Sequence, residues 1–208
     1  AWVAAISIVL ASVIALTKDN LKARLAFSTV SQLSYVTLGA MLATPLALMG
    51  AALQIVMHAW AKITLFMCAG AIYTATGKTE ISQMRGLGRL MPWTFGAFAV
   101  GAFSIIGLPP FGGTWPKLFL MLGSLNTGQT VLLAALILSS ILNVAYLLPI
   151  PGRGFYDKLP SEPLAKRTPL LVVLPPVMTA AGATILFFLI EPLRAFLAPV
   201  FDAGIPTP

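Results

Sequence analysis

Apolar residues run along this chain in long unbroken blocks, and those blocks define its elements. Residues 1–16, 25–42, 46–75, 92–108, 114–125, 130–150 and 169–190 are almost wholly apolar, and charge, proline and glycine collect between them. A helix of about 20 apolar residues crosses a bilayer, so most of these blocks predict transmembrane helices. Block 46–75 is long enough to tilt or to project. Block 114–125 reaches only about 18 Å as a helix, too short to cross alone. The tail "EPLRAFLAPVFDAGIPTP" is interrupted by proline and also too short.

Composition agrees with the pattern: 58% of residues are hydrophobic and 9% charged, against about 25% charged in a soluble domain. The first block opens the chain with neither a start methionine nor a basic leader. The chain therefore reads as a piece of a longer membrane protein. One cysteine, Cys68, in an apolar block excludes a disulfide framework and a paired-cysteine metal site.

The net charge of +7 raises the question of nucleic acid, but the basic residues form no patch. Lys18, Lys22 and Arg24 follow the first block, Lys78, Arg85 and Arg89 the third, and Arg153, Lys158, Lys166 and Arg167 precede the last. The gaps at 43–45 and 126–129 carry no basic residue. This alternation decides how to read "GLPPFGGTWPKLFLMLGSL". If 92–125 is one span broken at 109–113, all three basic segments share one face, the cytoplasmic one by the positive-inside rule. If it is two spans, the last basic segment falls on the wrong side. One broken helix is expected, in an all-α integral membrane protein of six spans with both ends outside. Such a break is tolerated only where protein or a hydrated cavity covers it, and transporters build ion sites there.

Candidate chemistry lies at depth. "QIVMHAWAKITLFMCAGAIYTA" places Gln54, the only histidine, His58, and Lys62 four residues apart on one helix face. Lys62 falls near the middle of its block, and Lys117 about 13 Å from the uncharged gap. A lysine at mid-membrane costs on the order of 3 kcal/mol, so both should face the bundle interior. Imidazole can donate and accept a hydrogen bond, with a pKa of about 6.5 in water, and so can pass protons. The competing reading is interhelical hydrogen bonding as glue. No carboxylate accompanies these groups: Asp19, Glu80, Asp157 and Glu162 lie in basic segments, Glu191 and Asp202 in the tail. Neither a phosphate-binding loop nor a dinucleotide or nucleophile motif is present; "GLGRLMP" reads as a turn into a helix.

Four segments in register, "DNLKARLAFSTVSQLSYVTLG" (19–39), "MHAWAKITLFMCAG" (57–70), "MRGLGRLMP" (84–92) and "GLPPFGGTWPK" (107–117), resemble the antiporter-like membrane subunits shared by respiratory complex I and the Mrp-type cation/proton antiporters. The resemblance covers roughly residues 1–150. It implies the second of two inverted five-helix repeats, each with a broken helix, plus one further helix. It also implies a proton path through Lys62 with His58 beside it, Lys117 exchanging protons with the outer side, and Lys22 near the cytoplasmic end. Gln54, Ser28, Ser31 and Gln32 would support the path, and Pro109, Pro110, Gly112 and Gly113 would form the break. Two departures stand out: Gln54 replaces a frequent second histidine, and Pro116 abuts Lys117.

The resulting expectation is a repeat over 1–150, a basic cytoplasmic loop over 151–168, a helix over 169–190 and a tail over 191–208. The chain would belong to a subunit of a multisubunit cation/proton antiporter or a complex I-like NADH:quinone oxidoreductase in a bacterial-type inner membrane. Its partners would be other membrane subunits, lipid, protons and sodium, with no nucleic acid and no cofactor. The alternatives are a helical scaffold with polar glue and, more weakly, a quinone site at His58. A relay requires His58, Lys62 and Lys117 to face one interior line, whereas a scaffold scatters them.

Overall fold

The computed structural model describes residues 1–158 and 169–202. Among them every regular element is helical: α1 Trp2–Thr17, α2 Leu21–Leu42, α3 Pro45–Thr76, α4 Pro92–Ile106, α5 Thr114–Asn126, α6 Thr130–Leu147, α7 Pro149–Tyr156, α8 Leu170–Phe188 and α9 Ile190–Asp202. Two short 3₁₀ turns, Ile81–Met84 and Leu87–Arg89, lead into α4. By length and composition four helices could each cross a membrane: Leu21–Leu42, Pro45–Thr76, Thr130–Tyr156 and Leu170–Phe188. Helices α1 and α4 are apolar but shorter.

Local chemistry sets the boundaries. The Asn20 side chain accepts from the Ala23 N–H at 3.1 Å and caps α2. Thr44 caps α3 in the same way at 3.2 Å, with Pro45 at the first helical position, where no N–H is missed. The connections joining α1 to α2 and α2 to α3 are short, which makes these helices antiparallel neighbours. Helix α3, of 32 residues, is the axis of the bundle and packs against α2, α4, α5, α8 and α9. At Gly50 a side chain would meet the Leu120 backbone at 2.9 Å, so α3 and α5 lie nearly backbone to backbone. Outward, Val3, Ile6, Leu10 and Val13 form an exposed apolar stripe on α1, as a lipid-facing helix requires.

The basic segments gather at one end of the bundle. Leu21 N–H donates to Thr79 O and Ile81 N–H to Asp19 O, joining the first segment to the second. Gly86 N–H donates to Arg153 O and Arg89 Nε to Phe155 O, joining the second to the third. Arg85 and Asp157 add an ion pair at 3.8 Å. Two segments depart from the simplest reading of the chain. The stretch from 151, expected as loop, remains helical to Tyr156, because Pro149 sits at the first position of α7 and Leu148 still donates to Val144 O; residues 159–168 lie outside the described residues. The tail forms α9, whose Leu193 and Leu197 pack on the cluster of Leu53 and Phe119.

The helix interruption is present. The backbone leaves α4 at Gly107 and re-enters a helix at Thr114, with a cis peptide between Pro109 and Pro110. Helices α4 and α5 do not pack along each other, as the arms of a hairpin would. Backbone groups freed by the break find protein partners: Gly112 N–H donates to Ala183 O of α8 at 3.0 Å, and Gly113 N–H to Ser104 Oγ at 3.3 Å. That satisfies the condition for non-helical backbone in a membrane. Gly113 has no room for a side chain, since a Cβ there would overlap Ser104 O.

Candidate functional site

Four polar side chains enter the interior from α3 and α5. Gln54, His58, Lys62 and Lys117 retain only 3%, 7%, 6% and 5% of their exposure. The four-residue spacing on α3 turns the first three toward α2 and the break. Pro116 does not disturb Lys117, because it falls in the first turn of α5, where helical N–H groups have no intrahelical partner.

Both ammonium groups rest on neutral oxygens. Lys62 Nζ donates to Leu25 O at 2.8 Å, a carbonyl that also accepts from Thr29 Oγ1 at 3.0 Å. Lys117 Nζ donates to Ile106 O at 2.9 Å and to Ser140 Oγ at 3.3 Å. Ile106 is the last residue of α4, so its carbonyl belongs to the unpaired, partly negative end of a helix, a favourable place for a cation. The Tyr35 ring lies 5.4 Å from the same ammonium and adds a cation–π attraction. The break thus supplies the acceptor that holds Lys117.

His58 has no hydrogen-bond partner on either ring nitrogen among the described residues. It lines an internal gap with Gln32, Gln54, Met57, Ser104, Gly113 and Lys117, a gap too narrow in this conformation to admit water. Gln54 Nε2 donates to Gln32 Oε1 at 2.9 Å, while Gln32 Nε2 has no partner among the described residues. The nearest carboxylates are elsewhere: Asp19 binds Ser82, Glu80 binds Asn20 and Thr79, Asp157 lies by Arg85, and Glu191 by Arg194.

The interior therefore brings together His58, Lys117, Gln54 and Gln32, with Lys62 one turn beyond His58 on the same face. Ser28 and Ser31 are buried but pair with other groups: Ser28 accepts from the Tyr146 hydroxyl at 3.0 Å, and Ser31 lies 2.9 Å from Ser12 Oγ. Lys22 stands apart, exposed at the basic end with its ammonium over the Tyr73 ring at 5.4 Å. Arg24, two residues on, turns inward and donates to Lys18 O at 2.7 Å and Tyr146 O at 3.0 Å. The polar residues of α6, Ser139, Ser140, Asn143 and Tyr146, also enter the interior, and sequence reasoning missed them. Their spacing along "SSILNVAY" was the available signal.

Residues 1–143 match the model of the family described as NADH:quinone oxidoreductase/Mrp antiporter, transmembrane. NADH-quinone oxidoreductase subunit N of Desulforudis audaxviator is 36% identical over 198 residues, covering 89% of this chain and 40% of that protein. A Na(+)/H(+) antiporter subunit of Alkalihalophilus pseudofirmus is 29% identical over 189 residues, covering 90% of this chain and 38% of that protein. The chain thus spans about two fifths of the length of these relatives. In fold it is similar to a chain of the Mrp complex from a Dietzia species, with TM-score 0.88 and 23% identity over 98% of this chain and 48% of that one. A chain of respiratory complex I from Thermus thermophilus gives TM-score 0.84 and 23% identity, over 96% of this chain and 42% of that one.

Proposed function

The chain belongs to the NADH:quinone oxidoreductase/Mrp antiporter transmembrane family, and on that premise we propose that it is the second antiporter-like repeat of a proton-translocating membrane subunit, with one further helix. Six crossings account for the elements: α1, α2, α3, the α4–α5 pair, α6 with α7, and α8. The basic end, where all three charged segments meet, is cytoplasmic by the positive-inside rule, in a bacterial-type inner membrane. The subunit works in a multisubunit assembly with other membrane subunits, as a cation/proton antiporter or a redox-driven complex.

One observation carries the reading. Two buried ammonium groups are held only by neutral oxygens, with an imidazole one turn from Lys62 and across a narrow gap from Lys117. A cation kept for architecture is normally matched by a buried carboxylate, since an unpaired charge in low dielectric is strongly destabilising; among the described carboxylates none is near. Neutral partners suit groups that must gain and lose a proton, because a carboxylate would hold the ammonium too firmly. His58, free at both nitrogens, can accept from one lysine and donate to the other. Opening of the gap to water completes the connection. Lys22 stands at the basic face, outside this line.

Lys62→Arg tests the proposal. Guanidinium remains protonated at every accessible pH, so arginine keeps the charge but cannot release a proton. Membrane vesicles with the full-length subunit in its assembly are energised by a sodium pulse or by NADH, and proton movement is followed with a quenching acridine dye. A relay loses proton movement per assembled complex with arginine as well as with Lys62→Ala. A structural cation tolerates arginine better than alanine, so wild-type coupling with arginine ends the claim.

A further inference from the structure

A second polar system lies beside the Lys62–His58 line, and the proposed relay does not use it. Along α6, Ser139, Asn143 and Tyr146 follow at helical spacing, and along α2, Ser28, Ser31 and Tyr35 do the same. These two faces meet, with Ser12 of α1 closing one side. All seven side chains are buried.

The contacts form three links. At one end Lys117 Nζ donates to Ser140 Oγ, and Ser140 Oγ and the Tyr35 hydroxyl both donate to Leu136 O, at 3.0 and 3.2 Å. In the middle, Ser12, Ser31 and Ser139 stand in a triangle with Oγ separations of 2.9, 3.0 and 3.3 Å. At the other end Tyr146 donates its single hydroxyl hydrogen between Asn143 Oδ1 and Ser28 Oγ. One turn past Ser28, Arg24 binds the Tyr146 carbonyl and marks the basic end of the bundle. The residues of successive links lie within a turn of one another along α6, about 5 Å of helix, and bridging water would join one link to the next.

Counting hydrogens separates conduction from glue. Ser12 and Ser31 each also lie within hydrogen-bond distance of Ile8 O, at 2.8 and 3.0 Å. The triangle therefore has five oxygen–oxygen contacts and only three hydroxyl hydrogens. No single arrangement fills them all, so each hydrogen has more than one acceptor at similar distance. Tyr146 faces the same choice. The Asn143 amide donor is wholly buried and has no partner among the described residues, at the step between the middle and end links. A network built for cohesion settles into one satisfied pattern. One with exchangeable patterns permits hydroxyls to reverse, which stepwise proton transfer along them requires.

We infer that the α2–α6 seam is a second proton branch, joining Lys117 to the basic end of the bundle through Ser140, the Ser12–Ser31–Ser139 triangle, and the Asn143–Tyr146–Ser28 link. In each hop the incoming proton forms a bond to the oxygen of a hydroxyl, or of a water bridging two links, while that oxygen's own hydrogen leaves to the next acceptor; Asn143, an amide, only positions the Tyr146 hydroxyl. The seam stays neutral before and after transfer, and reorientation of the hydroxyls resets it. The inference rests on the relay reading only in taking Lys117 as its terminus.

The test uses the energised vesicles with the full-length subunit in its assembly. Ser139→Thr retains the hydroxyl, Ser139→Val has nearly the shape of threonine without it, and Tyr146→Phe removes one oxygen. Proton movement per assembled complex should fall about tenfold with Ser139→Val and Tyr146→Phe, less than the roughly hundredfold of a fully lost transfer group, because entering water replaces part of a link. Ser139→Thr should keep the wild-type rate, a rescue that loss of packing alone does not give. Wild-type movement in both Ser139→Val and Tyr146→Phe overturns the branch while leaving the relay intact, provided Lys62→Arg is inactive in the same vesicles. If Ser139→Val fails to assemble, Tyr146→Phe decides, in the same two directions.

Discussion

Gly107 offers a way to move Lys117 without changing it. The residue ends α4 with φ 90 and ψ 37, a left-handed conformation that costs an L-amino acid roughly 1–2 kcal/mol. An added methyl would also stand 2.8 Å from Lys117 Cδ and 3.5 Å from Cε. Carbon atoms rest about 3.5–4.0 Å apart, so Gly107→Ala pushes the lysine stem away by roughly 1 Å. Nζ now lies 2.9 Å from Ile106 O, and a shift of that size takes it past the limit of an N–H···O bond. Gly77 provides the control. It ends α3 with φ 69 and ψ 1, and nothing lies within 4 Å of its added Cβ. Gly77→Ala therefore carries the backbone cost without the push on the lysine.

Both variants should lower the amount of assembled subunit to a similar degree, measured by immunoblot of the purified complex. Only Gly107→Ala should also lower proton movement per assembled complex, by about tenfold to a hundredfold, the scale of a 1 Å misplacement of a reacting group. Equal and undiminished rates in the two variants would refute the claim that the break holds Lys117 in a working position.

Two more outcomes follow from the same geometry. His58→Ala should slow proton movement far more than it lowers abundance, because neither ring nitrogen has a bond to lose and interhelical polar contacts average only about 0.6 kcal/mol; normal movement in intact assemblies would make His58 a packing residue. Single cysteines at Lys18 and Arg85 should react with an impermeant maleimide from the same side of the membrane, and a cysteine at the exposed Gln129 from the other. Labelling of all three from one side would refute the one-span reading of the α4–α5 pair.

The interruption was legible because two independent constraints met on it. Block 114–125 is too short to cross alone, and only an even number of crossings between residues 90 and 150 brings the charged segments to one end, where the hydrogen bonds among Leu21, Thr79, Gly86 and Arg153 now hold them. Proline was a poorer guide to where helices stop. Pro149, Pro116 and Pro192 suggest interruption, yet each falls at or near the start of a helix, where its missing N–H has no intrahelical partner to lose. Telling a starting proline from a breaking one requires knowing which residue opens the turn, and that depends on packing.

The spacing along α6 was visible, but which helices meet along the α2–α6 seam was illegible for a different reason. A serine within an apolar block hydrogen-bonds its own helix without penalty, as Ser34 does with Val30 O, so its presence says nothing about partners. The Ser12–Ser31–Ser139 triangle exists only because α1, α2 and α6 meet, and no local pattern states which helices meet. The inward turn of Arg24, in contrast, was within reach. Counting from Ser28, Ser31 and Tyr35, residue 24 continues the same face by helical phase, whereas residue 22 falls with Thr29 and Leu33 toward the outside. Motif position pointed to Lys22, but helix phase selects Arg24, and the burial of Leu21, Leu25, Ser28 and Ser31 shows that phase governs the inner face of α2. Where a motif and a helical phase disagree about which basic residue turns toward the neighbouring helices, phase decides: a side chain four carbons long can bend along its helix but cannot pass through it.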